Sequence, residues 1–267
     1  MPNPDPESRR FRLDIAYDGR LFVGWQSQVG GDTVQDFLQS AIVQCCPAAS
    51  GVHGSGRTDA GVCAEQQVAH FDAPAEWSMR GGEWQRALNS QLPATIRVLR
   101  CVEIDPAFHA RFSVLEKTYR YDIAVGEMLP PLKAGLAWHR KEFGPVTELQ
   151  PILDLFAGTH DFRAFSAKRH DGKDETRDAV RTISRAAVST DVSETLSIRF
   201  TGNGFLYKMV RFLVGTAVYC IDEKITREDI RNLLSGADRD AKAPYCAPPD
   251  GLSLIGVRYP EEFEIFQ

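Results

Sequence analysis

The sequence predicts an α+β fold with mainly antiparallel sheets, and three observations carry that expectation. FRLDIAYD, Phe11 to Asp18, alternates apolar and polar residues, the period of a strand with one covered and one open face. Thr33 to Cys45 places Val34, Phe37, Leu38, Ala41, Ile42 and Cys45 at i, i+3, i+4, i+7, i+8 and i+11, the apolar stripe of a helix. The first part reads strand, helix, strand, helix, strand, and the second mixes strands and helices in a similar order, which suggests two α+β halves. Half-covered strands belong to antiparallel sheets, because parallel sheets are covered on both faces.

The elements follow in order. After the first strand, GRLFVGWQSQVGGD is a loop punctuated by glycine. Thr33 with Asp36 is a capping-box signature for the first helix. Gln66 to Phe71 is a strand, Glu83 to Leu92 a helix closed by Pro93, and Thr95 to Ile104 a strand. Asp105-Pro106 favours an extended connection and divides the chain into residues 1–105 and 106–267. In the second half, Thr118 to Val125 is a strand and Val146 to Ala157 a helix. Val180 to Ser189 and Thr195 to Phe200 form a hairpin. Helices follow over Tyr207 to Ile221 and Arg227 to Leu234, then a strand over Ser253 to Tyr259. No residue-level repeat links the halves. An open sheet face is a usable surface for nucleic acid.

Composition sets limits on function. The 267 residues are 43% hydrophobic and 25% charged, as in an ordinary soluble globular protein. No apolar run approaches the roughly 18 residues of a membrane span. MPNPDPESRR at the start has no apolar signal core, so the expected location is the cytoplasm. The 6 cysteines include no C-x-x-C pair, which argues against zinc, and the expectation of no signal peptide argues against a disulfide framework. The net charge of −5 speaks only weakly against a nucleic-acid partner. Surface charges are screened beyond roughly 8–10 Å, so a local basic face can decide binding. Arg163 to Arg185 is such a stretch. It sets Arg163, Lys168, Arg169, Lys173, Arg177, Arg181 and Arg185 against Asp171, Asp174, Glu175 and Asp178. It is either a contact face for a polyanion or a solvated loop.

The chemistry centres on GVHGSGRTDAGV, Gly51 to Val62. Gly51 to Thr58 fits the phosphate-loop pattern G-x-x-x-x-G-K-S/T except that Arg57 replaces lysine. A phosphate loop should open a helix. Here Asp59 would repel the phosphate, and the β-like QQVAHF follows, so nucleotide hydrolysis is disfavoured. Two alternatives stay open. The segment is a hairpin turn rich in Asp and Gly, or a loop that brings the Asp59 carboxylate close to a substrate because glycine leaves room. In the second case Arg57 acts on a phosphate or a displaced base. Partners for Asp59 would lie elsewhere. Arg211 flanks the apolar stripe of Met209-Val210, Leu213-Val214 and Ala217-Val218. Facing Asp59, it would favour the carboxylate by about 1–3 pKa units; otherwise it is a surface arginine. KTYRY puts Tyr119 and Tyr121 on one face of a strand, as core packing or as a stacking surface worth about 1–3 kcal/mol per base.

Taken in order, these segments resemble the TruA family of tRNA pseudouridine synthases over nearly the whole chain. The resemblance rests on YDGRLFVGWQSQ (Tyr17 to Gln28) with TVQ, GRTDAGV (Gly56 to Val62), NSQLP (Asn89 to Pro93) and FHARFSVLEKTYRY (Phe108 to Tyr121). It continues through GTHDFRAFS (Gly158 to Ser166), NGFLYKMVRFLVGT (Asn203 to Thr216) and APPDGLSL (Ala247 to Leu254). It implies two ferredoxin-like (RRM-like) halves around a basic cleft. It implies a homodimer without metal or organic cofactor, and uridine in the anticodon stem-loop of tRNA as substrate. Asp59 would be the catalytic aspartate, Arg57 would assist base flipping, Tyr119 would stack on the target uracil and Arg211 would pair with Asp59. Lys168 and Arg169 are candidate tRNA contacts from the basic stretch. The family usually has histidine after GRTDAGV, where this chain has Cys63. The competing class is a non-catalytic RNA-binding module on the same scaffold. Such a module would more naturally have lost Asp59 or Arg211.

Overall fold

In the computed structural model, residues 8–168, 178–191 and 195–264 are described. The chain forms two compact units, one of Met1–Leu115 with Ser253–Gln267 and the other of Glu116–Leu252. Both are α+β with mainly antiparallel pairing.

The first unit contains β1 (Ser8–Tyr17), α1 (Val34–Cys45), β2 (His53–Gly54), β3 (Cys63–Pro74), α2 (Gly81–Gln91) and β4 (Ile96–Ile104). β1 lies between β3 and β4, antiparallel to both, and β2 adds a short antiparallel rung to β3. Phe11, Leu13 and Ile15 alternate along β1 and are fully buried with Val34, Leu38 and Ile42 of α1 and Trp84 and Leu88 of α2. Thr33 caps α1 as its spacing predicts. Its hydroxyl oxygen accepts from the Asp36 amide and its O–H donates to the Asp36 carboxylate.

The open face expected on the other side of β1 is closed at one end. Arg10 and Arg12 point there and are buried. Burying a guanidinium costs several kcal/mol unless it is paired and hydrogen-bonded. Arg10 meets Asp72 through two hydrogen bonds of 2.7 Å and donates to the Pro106 and Phe108 carbonyls. Arg12 pairs with Asp14, donates to the Phe263 carbonyl and lies 4.9 Å from the Tyr259 ring centre. The covering groups come from segments far from β1 in sequence.

The second unit contains β5 (Glu116–Val125), β6 (Trp138–Arg140), α3 (Leu149–Leu153), β7 (Gly158–Asp161), β8 (Val180–Thr190), β9 (Thr195–Gly202), α4 (Met209–Ile221) and α5 (Arg227–Ser235). β5, β9, β8 and β7 pair antiparallel in that order, with β6 parallel to β5. The predicted hairpin is β8 with β9. The single helix expected over Val146 to Ala157 is instead a 3₁₀ turn, the short α3 and a second 3₁₀ turn. Pro151 has no N–H for the Thr147 carbonyl, so the α-helix cannot extend back over Val146–Glu148 and starts with Pro151 in its first turn. α4 begins at Met209 rather than Tyr207, because Lys208 has φ of 61° and cannot be helical. The last strand, β10 (Leu252–Arg258), returns to the first unit, where Ser253 and Leu254 pair in parallel with Cys63 and Ala64.

Replacing Asp72 by Ala leaves the Arg10 guanidinium buried beside no carboxylate, and unfolding free energy is expected to fall by about 3–5 kcal/mol. Urea unfolding monitored by Trp fluorescence measures it. Replacing Arg10 and Asp72 together by apolar residues should recover most of that loss.

Candidate functional site

The Gly51 to Val62 segment includes β2, then turns without forming a helix and enters β3 at Cys63. The helix that a phosphate-binding loop requires is therefore absent from this place. Along Arg57, Thr58 and Asp59 the side chains alternate: Arg57 is exposed, Thr58 buried and Asp59 half-buried. The buried member anchors the other two. Its hydroxyl is 2.8 Å from the Tyr17 hydroxyl, and its carbonyl accepts from the Trp25 amide at 3.1 Å. Burial raises Tyr17 to about 12, so its phenol stays protonated in this contact.

Side-chain amides hold the rest of the loop. Gln67 is fully buried and reaches back across it. Its Oε1 accepts from the Ser55 hydroxyl at 2.6 Å, and its Nε2 donates to the Gly56 carbonyl at 3.0 Å. Arg57 Nε donates to Gln26 Oε1 at 3.0 Å, and Gln26 Nε2 donates to Gln35 Oε1 at 2.7 Å. Gln35 belongs to α1, so the direction of Arg57 is referred to a helix through two amides. A planar donor fixed at one nitrogen keeps its remaining N–H groups aimed.

Two glycines make this approach possible. Gly24 has φ of 101°, and a Cβ there would lie 2.7 Å from the Thr58 carbonyl oxygen. At Gly54 a Cβ would stand 2.4 Å from the buried Trp25 ring. Gly24 lets the Phe22–Trp25 backbone press against Thr58–Ala60, and Gly54 leaves room for the Trp25 ring.

Cys63 closes the loop. Its sulfur accepts from the Gly19 amide at 3.3 Å, and its S–H points to Asp18 Oδ1 at 3.7 Å. Burial raises the thiol pKa, which keeps it an S–H donor. The cysteine at the position where a histidine is expected is thus a tie between the start of β3 and the Asp18–Arg20 turn.

The other predicted residues lie in the second unit. Tyr119 sits on β5 opposite Phe200, nearly buried, with its ring edge-on to Phe205 at 5.1 Å. Tyr121, two residues on, is fully buried, and its hydroxyl donates to the Pro248 carbonyl at 2.8 Å. That makes Tyr121 a packing residue. Arg211 lies half-exposed in the first turn of α4, with Nε donating to the Ala247 carbonyl at 2.7 Å. Lys168 is exposed after the Arg163–Phe165 turn. Arg169 lies outside the described residues. Of the other basic side chains, Arg163 faces Asp161 at 3.7 Å and Arg181 faces Asp178 at 3.9 Å. Among the described residues, no cluster of three His, Cys, Asp or Glu is placed to hold a metal ion. No helix among them is long and apolar enough to cross a membrane.

Sequence reasoning missed Gln26, Gln35 and Gln67 as loop supports. It also missed a histidine group at the foot of the loop. The His53 ring stacks on His70 at 5.1 Å, and His109 lies 4.6 Å from His70. Burial, followed by the charges of Arg10, His109 and His53, lowers His70 to about 2. Its Nδ1 accepts from the Ala110 amide, as a neutral imidazole can.

A family model described as tRNA pseudouridine synthase matches residues 152–260. The chain is 48% identical over 255 residues to a tRNA pseudouridine synthase A of Akkermansia muciniphila, covering 95% of this chain and 96% of that one. It is 38% identical over 252 residues to the enzyme of that name in Bacillus subtilis, covering 94% and 99%. A relative of the same name in a Geobacter species is 37% identical over 256 residues, covering 95% and 100%.

The histidine group gives a pH prediction. An unfolded histidine titrates near 6.5, whereas folded His70 titrates near 2, so between these values the unfolded chain binds the extra proton. The stability that a neutral His70 contributes is complete above pH 6.5 and is lost as pH falls toward 2. Urea midpoints measured from pH 7.5 to 4 should decline, and His70→Asn should flatten the decline. An unchanged slope in that variant would contradict the assignment.

Proposed function

The chain belongs to the TruA family of tRNA pseudouridine synthases, and we propose that it isomerises uridine to pseudouridine in the anticodon stem-loop of tRNA. One observation carries the residue assignment. Asp59 stands half-buried between the exposed Arg57 and Ala60, on a loop braced from three sides that leads into a strand.

The reaction breaks the N1–C1′ bond of uridine, turns the base and rejoins C1′ to C5, with the C5 hydrogen leaving. Reaching C1′ and C5 requires the uridine to leave its stack, at a cost of a few kcal/mol. Arg57 is the residue proposed to assist that step and to occupy the vacated space, since the Gln26 contact keeps its guanidinium directed. The detached uracil must turn without escaping. Tyr119 suits this because an aromatic face restrains the plane of a base and permits rotation within that plane. The Asp59 carboxylate either attacks carbon or removes a proton, and Arg211 is proposed to pair with it. Lys168 and Arg169 are proposed contacts to the tRNA backbone. We also propose ferredoxin-like character for both halves, with the half before Asp105-Pro106 carrying Asp59 and the half after it carrying Tyr119 and Arg211. A basic cleft and a homodimer complete the proposal, without metal or organic cofactor.

Asp59→Asn should bind tRNA as the parent does and release no tritium from uridine labelled at C5. Turnover within about tenfold of the parent would remove Asp59 from the mechanism, since loss of a required acid–base or nucleophilic group costs about 100-fold or more. Affinity for tRNA should fall linearly on a log–log plot against salt, each phosphate contact contributing about 0.7–0.9 to the slope. Filter binding from 50 to 300 mM salt measures this on the order of magnitude expected. A flat response would leave Lys168 and Arg169 on a solvated loop.

A further inference from the structure

Arg211, Gly215 and Tyr219 are spaced by four residues on α4 and therefore lie on one of its faces. All three meet the same short segment, Tyr245 to Ala247. The Arg211 side chain donates from Nε to the Ala247 carbonyl at 2.7 Å, while the Arg211 carbonyl accepts from the Ala247 amide at 3.1 Å. A Cβ on Gly215 would stand 2.2 Å from the Tyr245 carbonyl oxygen, so the backbone of the segment rests directly on the helix. Tyr219 stacks on Tyr245 with ring centres 5.0 Å apart and planes 11° from parallel.

The Tyr245 ring has a second neighbour. Trp138 of β6 stacks on it at 5.9 Å with planes 29° apart. Cations close both ends of this three-ring pile: Lys224 lies 4.6 Å from the Tyr219 ring centre and Arg140 lies 5.3 Å from that of Trp138. Both cations also contact the Asp222 carboxylate. Further along, the Tyr121 hydroxyl holds the Pro248 carbonyl. The segment is thus fixed on both sides of Ala247, by rings at Tyr245 and by a buried phenol at Pro248.

We infer that Tyr245 is a positioning residue for Arg211: its ring, held between Tyr219 and Trp138, sets the Ala247 carbonyl that aims the guanidinium. The inference rests on the role proposed above for Arg211. The physical need is plain. An arginine side chain has many rotamers, and a single carbonyl bonded at Nε fixes the plane of its fork. That carbonyl is only as well placed as the segment that carries it. Alanine at 245 removes the stack and leaves the strap held by the Ala247 amide on the Arg211 carbonyl and by Tyr121 at Pro248, with its Tyr245 end resting against Gly215. Phenylalanine keeps the stack.

The experiment is a double-mutant cycle on single-turnover tritium release at saturating tRNA, with tRNA affinity and melting temperature measured alongside. Tyr245→Ala is expected to slow the reaction by about 10- to 100-fold, the range for a misplacement of about 1 Å, with tRNA affinity unchanged. Tyr245→Phe should stay within about twofold of the parent, because the aimed geometry is retained. Gly215→Ala, which pushes the strap at the Tyr245 carbonyl while keeping all three rings, should slow the reaction as Tyr245→Ala does; it serves as the second route if Tyr245→Ala folds poorly. Arg211→Lys combined with Tyr245→Ala should be no slower than Arg211→Lys alone, as for residues acting through one another. Parental rates in both Tyr245→Ala and Gly215→Ala would overturn the inference while leaving Arg211 in place. Fully additive losses would also overturn it, since Tyr245 would then act elsewhere. A parental rate in Arg211→Lys would overturn the role of Arg211, and the inference with it.

Discussion

The site depends on one close approach: the Phe22–Trp25 backbone lies against Thr58–Ala60 with no side chain between them. A loop that presents a carboxylate without a helix behind it has no internal ladder to satisfy its amides and carbonyls. Each must find a partner from another part of the chain, or the loop will not hold one conformation. Gly24 and Gly54 allow the partners to come near enough. The Trp25 amide then reaches Thr58, Gln67 reaches Gly56, and Tyr17 closes on the Thr58 hydroxyl. The exposed Arg57 and the half-buried Asp59 thus rest on a buried polar layer of Tyr17, Ser55, Thr58 and Gln67.

The same device recurs in the second unit. There a glycine on a helix, Gly215, lets a strap of backbone come within bonding reach of an arginine. In both units glycine supplies proximity and a neighbouring aromatic supplies fixity, Trp25 in one and Tyr245 in the other. The cost of glycine in a helix, about 1 kcal/mol relative to Ala, is offset by contacts no other residue would permit. Lys208 adds to this picture. A non-glycine residue held at φ of 61° immediately before the helix carrying Arg211 departs from the easy conformation next to a residue of interest.

Much of the fold was legible in the sequence because it is local. The stripe from Val34 to Cys45 and the Thr33 cap need only neighbours within a few residues, and both are present. The hairpin of β8 and β9 likewise follows from alternation. β2, β6 and β7 were not legible, because strands of two to four residues have no period to read. The broken helix over Val146 to Ala157 was overread, since periodicity ignores the missing donor of Pro151. The burial of Arg10 and Arg12 could not be read from β1, as their cover arrives from Pro106 and Phe263. In the site, the passage of the glycine loop into a strand was legible from residue types. The supports at Gln26, Gln35, Gln67 and Cys63 were not, since an amide or thiol has no pattern that announces its partner.

The return of β10 bears on how the protein is made. Residues 253 and 254 pair with Cys63 and Ala64, the first rungs of the strand that leaves the glycine loop. Synthesis proceeds from the N-terminus, and domains tend to fold as they emerge. Here the first unit cannot be completed until all of Glu116–Leu252 has been made, because its last strand comes after the whole of the second. The brace beside the loop is therefore supplied only after the second unit. A chain that stalls short of β10 carries the entire glycine loop and yet lacks the strand beside it, so synthesis through β10 becomes a condition of a well-ordered site.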